Sequence, residues 1–147
     1  MAAVRLSPAV RAAWWVHRQL LRLSGGRLGT RLNGMPILLL TTVGRRSGEP
    51  RTAALQYLSH GRGWAVIASH AGDDRHPAWW LNLATDPAAS VTRRGRSVRV
   101  RARETTGAER DELLARFAAI DPAYAEYPRR TRRRIPVVVL EPEDGAS

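Results

Sequence analysis

ILLLTTVGRRSGEPRTAAL, residues 37–55, is two apolar runs joined by a short polar loop. Ile37–Val43 and Thr52–Leu58 are rich in β-branched and aliphatic residues, and Gly44, Gly48 and Pro50 punctuate the segment between them as a hairpin connection requires. The loop also carries Arg45, Arg46 and Arg51 with Ser47. A turn needs the glycines and the proline but not three guanidinium groups. Two readings stay open at this point: a solvated hairpin tip, or a socket for a multiply charged anion, since guanidinium forks and a hydroxyl suit phosphate and carboxylate. The spacing is not that of a Walker loop, and lysine is missing.

Outward from this hairpin the pattern continues in short strands. Gly61-Arg62-Gly63 turns into a strand over Trp64–Ser69. Pro77 opens a short helix, Ala78–Leu83, which Asp86-Pro87 ends. Ser90–Arg93 and Ser97–Arg103 flank the turn Arg94-Gly95-Arg96. In the second of these Val98, Val100 and Ala102 alternate with Arg99, Arg101 and Arg103, which places the two sets on opposite faces. Thr106 and Glu109 have the spacing of a capping box for a helix to about Ile120. Asp121-Pro122 opens a further helical turn, Pro136–Leu140 is a continuously apolar strand, and Glu141–Ser147 reads as a frayed tail. Five to six short strands interrupted by helices predict a small, mainly antiparallel β-barrel with α additions. Ahead of it, Ser7-Pro8 starts an amphipathic helix that runs to about Ser24. Arg11, Arg18 and Arg22 share its polar side with Trp15 beside them. Packing on the domain and contact with an anionic membrane surface both suit such a helix.

The 147 residues are expected to form one domain, with residues 1–26 as a helical arm, 27–142 as the barrel core and 143–147 as a tail. The composition is that of a folded protein, 44% hydrophobic and 25% charged. No apolar run reaches the roughly 18 residues of a spanning helix. Cysteine is absent, which excludes disulfides, thiolate catalysis and zinc–cysteine sites. The formal net charge is +11, and all 24 basic residues are arginine. Schiff-base chemistry is thereby excluded, and an anionic partner is expected: a polyanionic small molecule, a membrane surface or nucleic acid.

Three further groups of residues bear on chemistry. Ser69-His70 ends the third strand, beside a glycine-bearing loop. Pro77, Trp79, Trp80 and Asn82 offer flat apolar walls and an amide. Tyr124 and Tyr127, three apart, share a helical face. His70 and His76 lack the spacing and the acidic company of a metal site, and no G-x-S-x-G elbow is present. Most of the arginines from Arg129 to Arg134 read as a solvated basic surface.

Taken together, LLLTTVGRRSGEPR, ALQYL, VIASHAGDDRHPAWWLNLATDPAASV and DPAYAEYPRRTRRRIPVVVLEP resemble the deazaflavin-dependent nitroreductase and quinone reductase family. The resemblance runs in order from about Leu28 to Pro142. It implies a split β-barrel of the FMN-binding type and hydride transfer from reduced coenzyme F-420 to a quinone, nitro compound or similar acceptor. By the same resemblance Arg45, Arg46, Ser47, Arg51, Ser69, His70, Pro77, Trp79 and Asn82 hold the cofactor. Tyr124 and Tyr127 border the acceptor, with Ser69 as a further proton donor. Many members have lysine at the position of His70, and some have an aromatic residue at that of Gln56. FMN as cofactor is the alternative within this fold, and a basic nucleic-acid-binding module the alternative outside it. The expected location is cytoplasmic, with the N-terminal helix at the inner face of the membrane.

Overall fold

The computed structural model of the chain describes residues 31–32, 35–69 and 75–143. The predicted N-terminal helix, His70 and the tail beyond Glu143 lie outside them. The strands are β1 (Arg31–Leu32), β2 (Met35–Val43), β3 (Pro50–Gln56), β4 (Leu58–His60), β5 (Gly63–Ile67), β6 (Ala88–Arg93), β7 (Arg96–Glu104) and β8 (Val137–Pro142). Three helices accompany them: α1 (Ala78–Thr85), α2 (Gly107–Ile120) and α3 (Ala123–Arg130).

The strands form one curled antiparallel sheet in the order β1-β2-β6-β7-β8-β5-β4, with β3 paired to β2 off this path. The hairpin read from residues 37–55 is β2 and β3, in register from Ile37↔Gln56 to Val43↔Pro50. The strand expected over 52–58 breaks at Tyr57, because the chain changes partner there from β2 to β5. The Tyr57 N–H donates instead to the carbonyl of Pro36.

Two apolar clusters occupy the two faces of the sheet. Leu38, Leu40, Tyr57, Val66, Val91, Val100, Val138 and Leu140 fill the inner face, where Trp79 and Leu83 of α1 cover them. Met35, Leu58, Ala65, Ile67, Val137 and Val139 meet Leu113 and Phe117 of α2 on the other face. β8 is apolar without alternation because both its faces are buried: Val138 and Leu140 look inward, Val137 and Val139 toward α2. At Gly63, where β5 meets β8, an added Cβ would stand 2.0 Å from the Leu140 carbonyl oxygen, so only glycine allows this approach.

Three expectations are corrected here. Thr106 is the N-cap of α2 but makes no side-chain cap bond. Glu109 does not reach back to close a capping box; its carboxylate takes a bidentate pair from Arg103, at 2.7 and 2.8 Å, and faces His60 at 2.9 Å. A fork of two charged hydrogen bonds outweighs one neutral cap bond. Glu141 and Pro142, expected to fray, belong to β8, and Glu141 accepts from Arg103 Nε. The helical turn expected after Pro122 is an eight-residue helix, α3.

The Arg103–Glu109–His60 group ties α2 to β7 and β4. Arg103 above all, and then His60, hold the Glu109 carboxyl down at about 2, against an ordinary 4.5. A depressed carboxylate stabilises the fold above its unfolded value and loses that contribution as pH falls through the folded one. Wild type is therefore expected to unfold at a higher temperature than Glu109→Gln at neutral pH, with the gap closing between pH 4.5 and about 2. Thermal unfolding of both proteins across that range checks this; a gap constant with pH would contradict it.

Candidate functional site

The β2–β3 loop closes tightly on itself. Gly44 N–H donates to the Glu49 carbonyl at 2.8 Å, and Gly48 N–H to the Gly44 carbonyl at 2.7 Å. Gly48 sits at φ 73, the left-handed region that glycine enters without strain. The Ser47 hydroxyl oxygen accepts from the Glu49 N–H and from Arg51 Nη2, which leaves its own hydrogen free to donate outward. Arg51 and Glu49 also form a loose, exposed ion pair at 3.7 Å. Arg46 is exposed and has no hydrogen-bond or carboxylate partner among the described residues.

α1 lies across this loop, and Asn82 is the connection. Its side chain is buried, 2% exposed. Asn82 Oδ1 accepts from both the backbone N–H and Nη1 of Arg45, each at 3.1 Å, while Nδ2 donates to Thr42 Oγ1 at 3.0 Å. The amide expected to grip a ligand is thus largely engaged within the protein. It fixes where the arginine loop stands against the helix, and it still borders the space between them.

That space is a cavity of about 430 Å³, lined by Arg45, Arg46, Ser47 and Arg51 on one side and by Ala78, Trp79 and Asn82 on the other. Pro77 is buried at the N-cap of α1 and sets its start. Trp79 is both core and wall: it is 8% exposed and borders the cavity. Trp80 packs against the same inner cluster. The socket reading of the loop therefore has a structural basis that the solvated-tip reading lacks: guanidiniums facing an aromatic wall across an open cleft.

Ser69 follows β5, and its carbonyl accepts from Arg133 Nη2 at 2.7 Å. Arg133 Nη1 reaches the Ala68 carbonyl at 3.1 Å and His76 Nδ1 at 3.2 Å. Burial, and then the charge of Arg133, push the His76 pKa down, so the neutral ring accepts from the guanidinium. Arg133 is the exception within the basic run Arg129–Arg134: it clamps the chain around Ser69. The run of arginines concealed this role, because no local pattern separates one structural arginine from its neighbours.

Tyr124 and Tyr127 do not line the arginine cavity. They pack against the outer cluster, with Tyr124 5.1 Å from the Phe117 ring and 5.4 Å from that of Tyr127. The Tyr124 hydroxyl donates to Gln56 Oε1, at the far end of β3 from Arg51. Burial first, then Tyr127 and Asp121, raise the Tyr124 pKa and keep the phenol neutral.

The sequence profile of the F-420H(2)-dependent quinone reductase family matches residues 12–142. The F-420H(2)-dependent quinone reductase of Mycobacterium tuberculosis H37Rv is 35% identical over 131 residues, which cover 85% of this chain and 87% of that protein. The chain belongs to this family. It is an oxidoreductase of the kind that works with reduced coenzyme F-420. A solved F-420-H2 dependent reductase (FDR-A) is 36% identical, with a TM-score of 0.65 over 72% of this chain and 94% of that one. A structure described as a domain-swapped dimer is 33% identical, with a TM-score of 0.68 over 92% and 100%. The fold is the split β-barrel of the FMN-binding type. HutZ, a haem storage protein of Vibrio cholerae that is 17% identical with a TM-score of 0.55, shares the fold alone. Among the described residues no helix is long and apolar enough to cross a membrane.

The cavity's donor set fits such a cofactor. Guanidiniums, a free serine O–H and an aromatic wall are what a phosphate-bearing, acid-tailed molecule with a flat ring requires.

Two substitutions separate binding from positioning. Arg46→Ala is expected to weaken cofactor binding by about tenfold, the loss of one charged hydrogen bond, with unfolding temperature unchanged. Asn82→Ala is expected to weaken binding and also to destabilise the fold by about 1–3 kcal/mol, because it strands the buried Thr42 hydroxyl and the Arg45 N–H. Cofactor fluorescence titration and thermal unfolding, run on both variants, check the pair.

Proposed function

We propose that this chain catalyses reduction of a quinone by reduced coenzyme F-420, with the cofactor's anionic part in the cavity formed by Arg45, Arg46, Ser47, Arg51, Trp79 and Asn82. The observation that carries the proposal is the convergence of the arginine loop and the tryptophan helix on that one cavity. When bound, the cofactor supplies the hydride. The protein's tasks are to bind, to orient, to exclude water and to manage one proton.

Binding and orientation fall to the guanidiniums and the Ser47 hydroxyl, held in place by Asn82. β3 leads from this end to the acceptor end. Arg51 and Gln56 are five residues apart on it, roughly 17 Å of extended chain. Tyr124 and Tyr127, with Gln56 and Ser69, form the acceptor side in this proposal; Arg133 holds the backbone at Ser69 through its carbonyl. The raised pKa of Tyr124 suits a phenol that keeps its proton and polarises the acceptor's carbonyl oxygen when its one O–H turns from Gln56 Oε1 to the acceptor. A hydride and one proton convert a quinone to a hydroquinone. The proton reaches the reduced oxygen from Tyr127, Ser69 or solvent. Nitro compounds are a further acceptor class by the same chemistry. Contact of the N-terminal segment with the membrane, where lipid quinones reside, would bring the protein to its acceptor.

Turnover of reduced coenzyme F-420 with a soluble menaquinone analogue tests the proposal, and no acceptor-dependent oxidation would overturn it. Tyr124→Phe is expected to lower kcat by about tenfold to a hundredfold while leaving the dissociation constant of the cofactor unchanged. Equal effects on both would move Tyr124 out of the acceptor role.

A further inference from the structure

The opposite mouth of the barrel holds a second cavity, of about 460 Å³, lined by Arg62, Trp64, Arg93, Arg94, Arg96, Val98 and Pro142. Strand alternation explains how it forms. Ala89, Val91 and Arg93 share the inner face of β6, and the first two reach the inner cluster. Thr42, at the arginine-loop end, pairs with Ala89, so Arg93 stands about 13 Å further along the barrel. Trp64 and Val98 look into the same end from β5 and β7. The two cavities share no residue.

Three local features at this mouth oppose stability. Arg93 and Arg96 are directly opposite cross-strand partners, a like-charge pair that costs a sheet energy. Arg94 occupies φ 52 in the turn between them, a position where glycine, asparagine and aspartate are at ease and arginine is strained. Arg62 adds a fourth positive charge from the β4–β5 turn. Among the described residues no carboxylate lines the cavity. The acids of this region face the other way: Glu141 accepts from Arg103, and Glu143 stands near Arg99. Arg62, Arg94 and Arg96 have no partner among the described residues.

Arg93 is held in a defined pose. Its Nε donates to the Tyr57 hydroxyl at 3.2 Å, and its guanidinium lies over the Tyr57 and Trp64 rings, 5.6 and 5.2 Å from their centres. A fixed guanidinium at the base, exposed arginines at the rim and an apolar wall of Trp64, Val98 and Pro142 make an amphiphilic receptor. Local rules broken together around one cavity mark a site whose cost is offset by a ligand.

We infer that Arg62, Arg93, Arg94 and Arg96, with Trp64, form a second binding site that takes an organic phosphate whose apolar part rests on Trp64, Val98 and Pro142. Several guanidiniums around one volume match the several acceptor oxygens of a phosphate better than the two of a carboxylate. The phosphate can belong to a lipid headgroup or to a soluble phosphate ester.

The test uses the full chain and the double variant Arg94→Asn/Arg96→Gln. Asparagine accepts the positive φ, so the variant is expected to unfold at the wild-type temperature or above. Calorimetric titrations with inorganic phosphate, phenyl phosphate and dihexanoyl phosphatidate are compared at fixed ionic strength. The expected result is that at least one ester binds tenfold or more tightly than inorganic phosphate. Its affinity falls at least tenfold in the variant, while coenzyme F-420 binding at the other mouth is unchanged. Tighter binding of the phosphatidate than of phenyl phosphate identifies a lipid source, and the reverse a soluble one. Equal affinity for inorganic phosphate and both esters, no binding of any of the three, or affinities the same in variant and wild type, overturns the inference.

Discussion

The side chain of Asn82 is where helix, loop and sheet meet. One carbonyl oxygen takes two hydrogen bonds from Arg45, and one amide nitrogen gives its hydrogen bond to Thr42. These bonds lie where solvent competes little, so each is stronger than its surface counterpart, and each partner would be costly to strand. The arginine loop would otherwise be a hairpin tip with mutually repelling charges. Tethered to α1, it faces Trp79 and becomes one wall of a cavity. Thr42 occupies the inner face of β2 two residues beyond Leu40, so the same tether also registers the helix on the barrel core.

A curled sheet has two mouths, and this one is positively charged at both. At one, the charges sit on a loop between strands and face a helix. At the other, they sit in the hairpin turns themselves and surround a tryptophan. The protein thereby separates two anion-attracting environments by the length of β6 and the packed inner cluster between them. The outer face is different in character. There two of the arginines of β7 are answered by acids, Arg103 by Glu109 and Glu141, and Arg99 by Glu143. At the barrel ends, by contrast, several guanidiniums without an acid partner gather around one cavity, where ligands can reach them.

Much of this was legible in the residues. The β2–β3 hairpin, the alternation of β7, the doubly buried β8 and the helix behind Pro77 all follow from period, turn chemistry and apolar runs, which are local properties. The family resemblance followed from four separated motifs in order. What stayed hidden depended on partners distant in sequence. Glu109 has the spacing of a capping residue, yet Arg103 and His60 offer it a better bond than the helix terminus does. Arg133 lies in a run of arginines that looks uniform, and only its approach to Ala68, Ser69 and His76 distinguishes it. Tyr57, unremarked in the sequence, orients Arg93 from across the barrel.

The sequence by itself determined the elements, the excess of guanidinium charge and the absence of thiol and amine chemistry, because these depend on composition and near neighbours. Tertiary structure alone decided which arginines are free and which are bound, since that turns on contacts between residues dozens of positions apart. Arg46, Arg94 and Arg96 remain available to a ligand, while Arg103 and Arg133 are consumed in holding the fold. Curling of the sheet made that division. It turned alternate residues of each strand into an interior with two open ends and left the acids on the outside, where they neutralise only the charges they can touch.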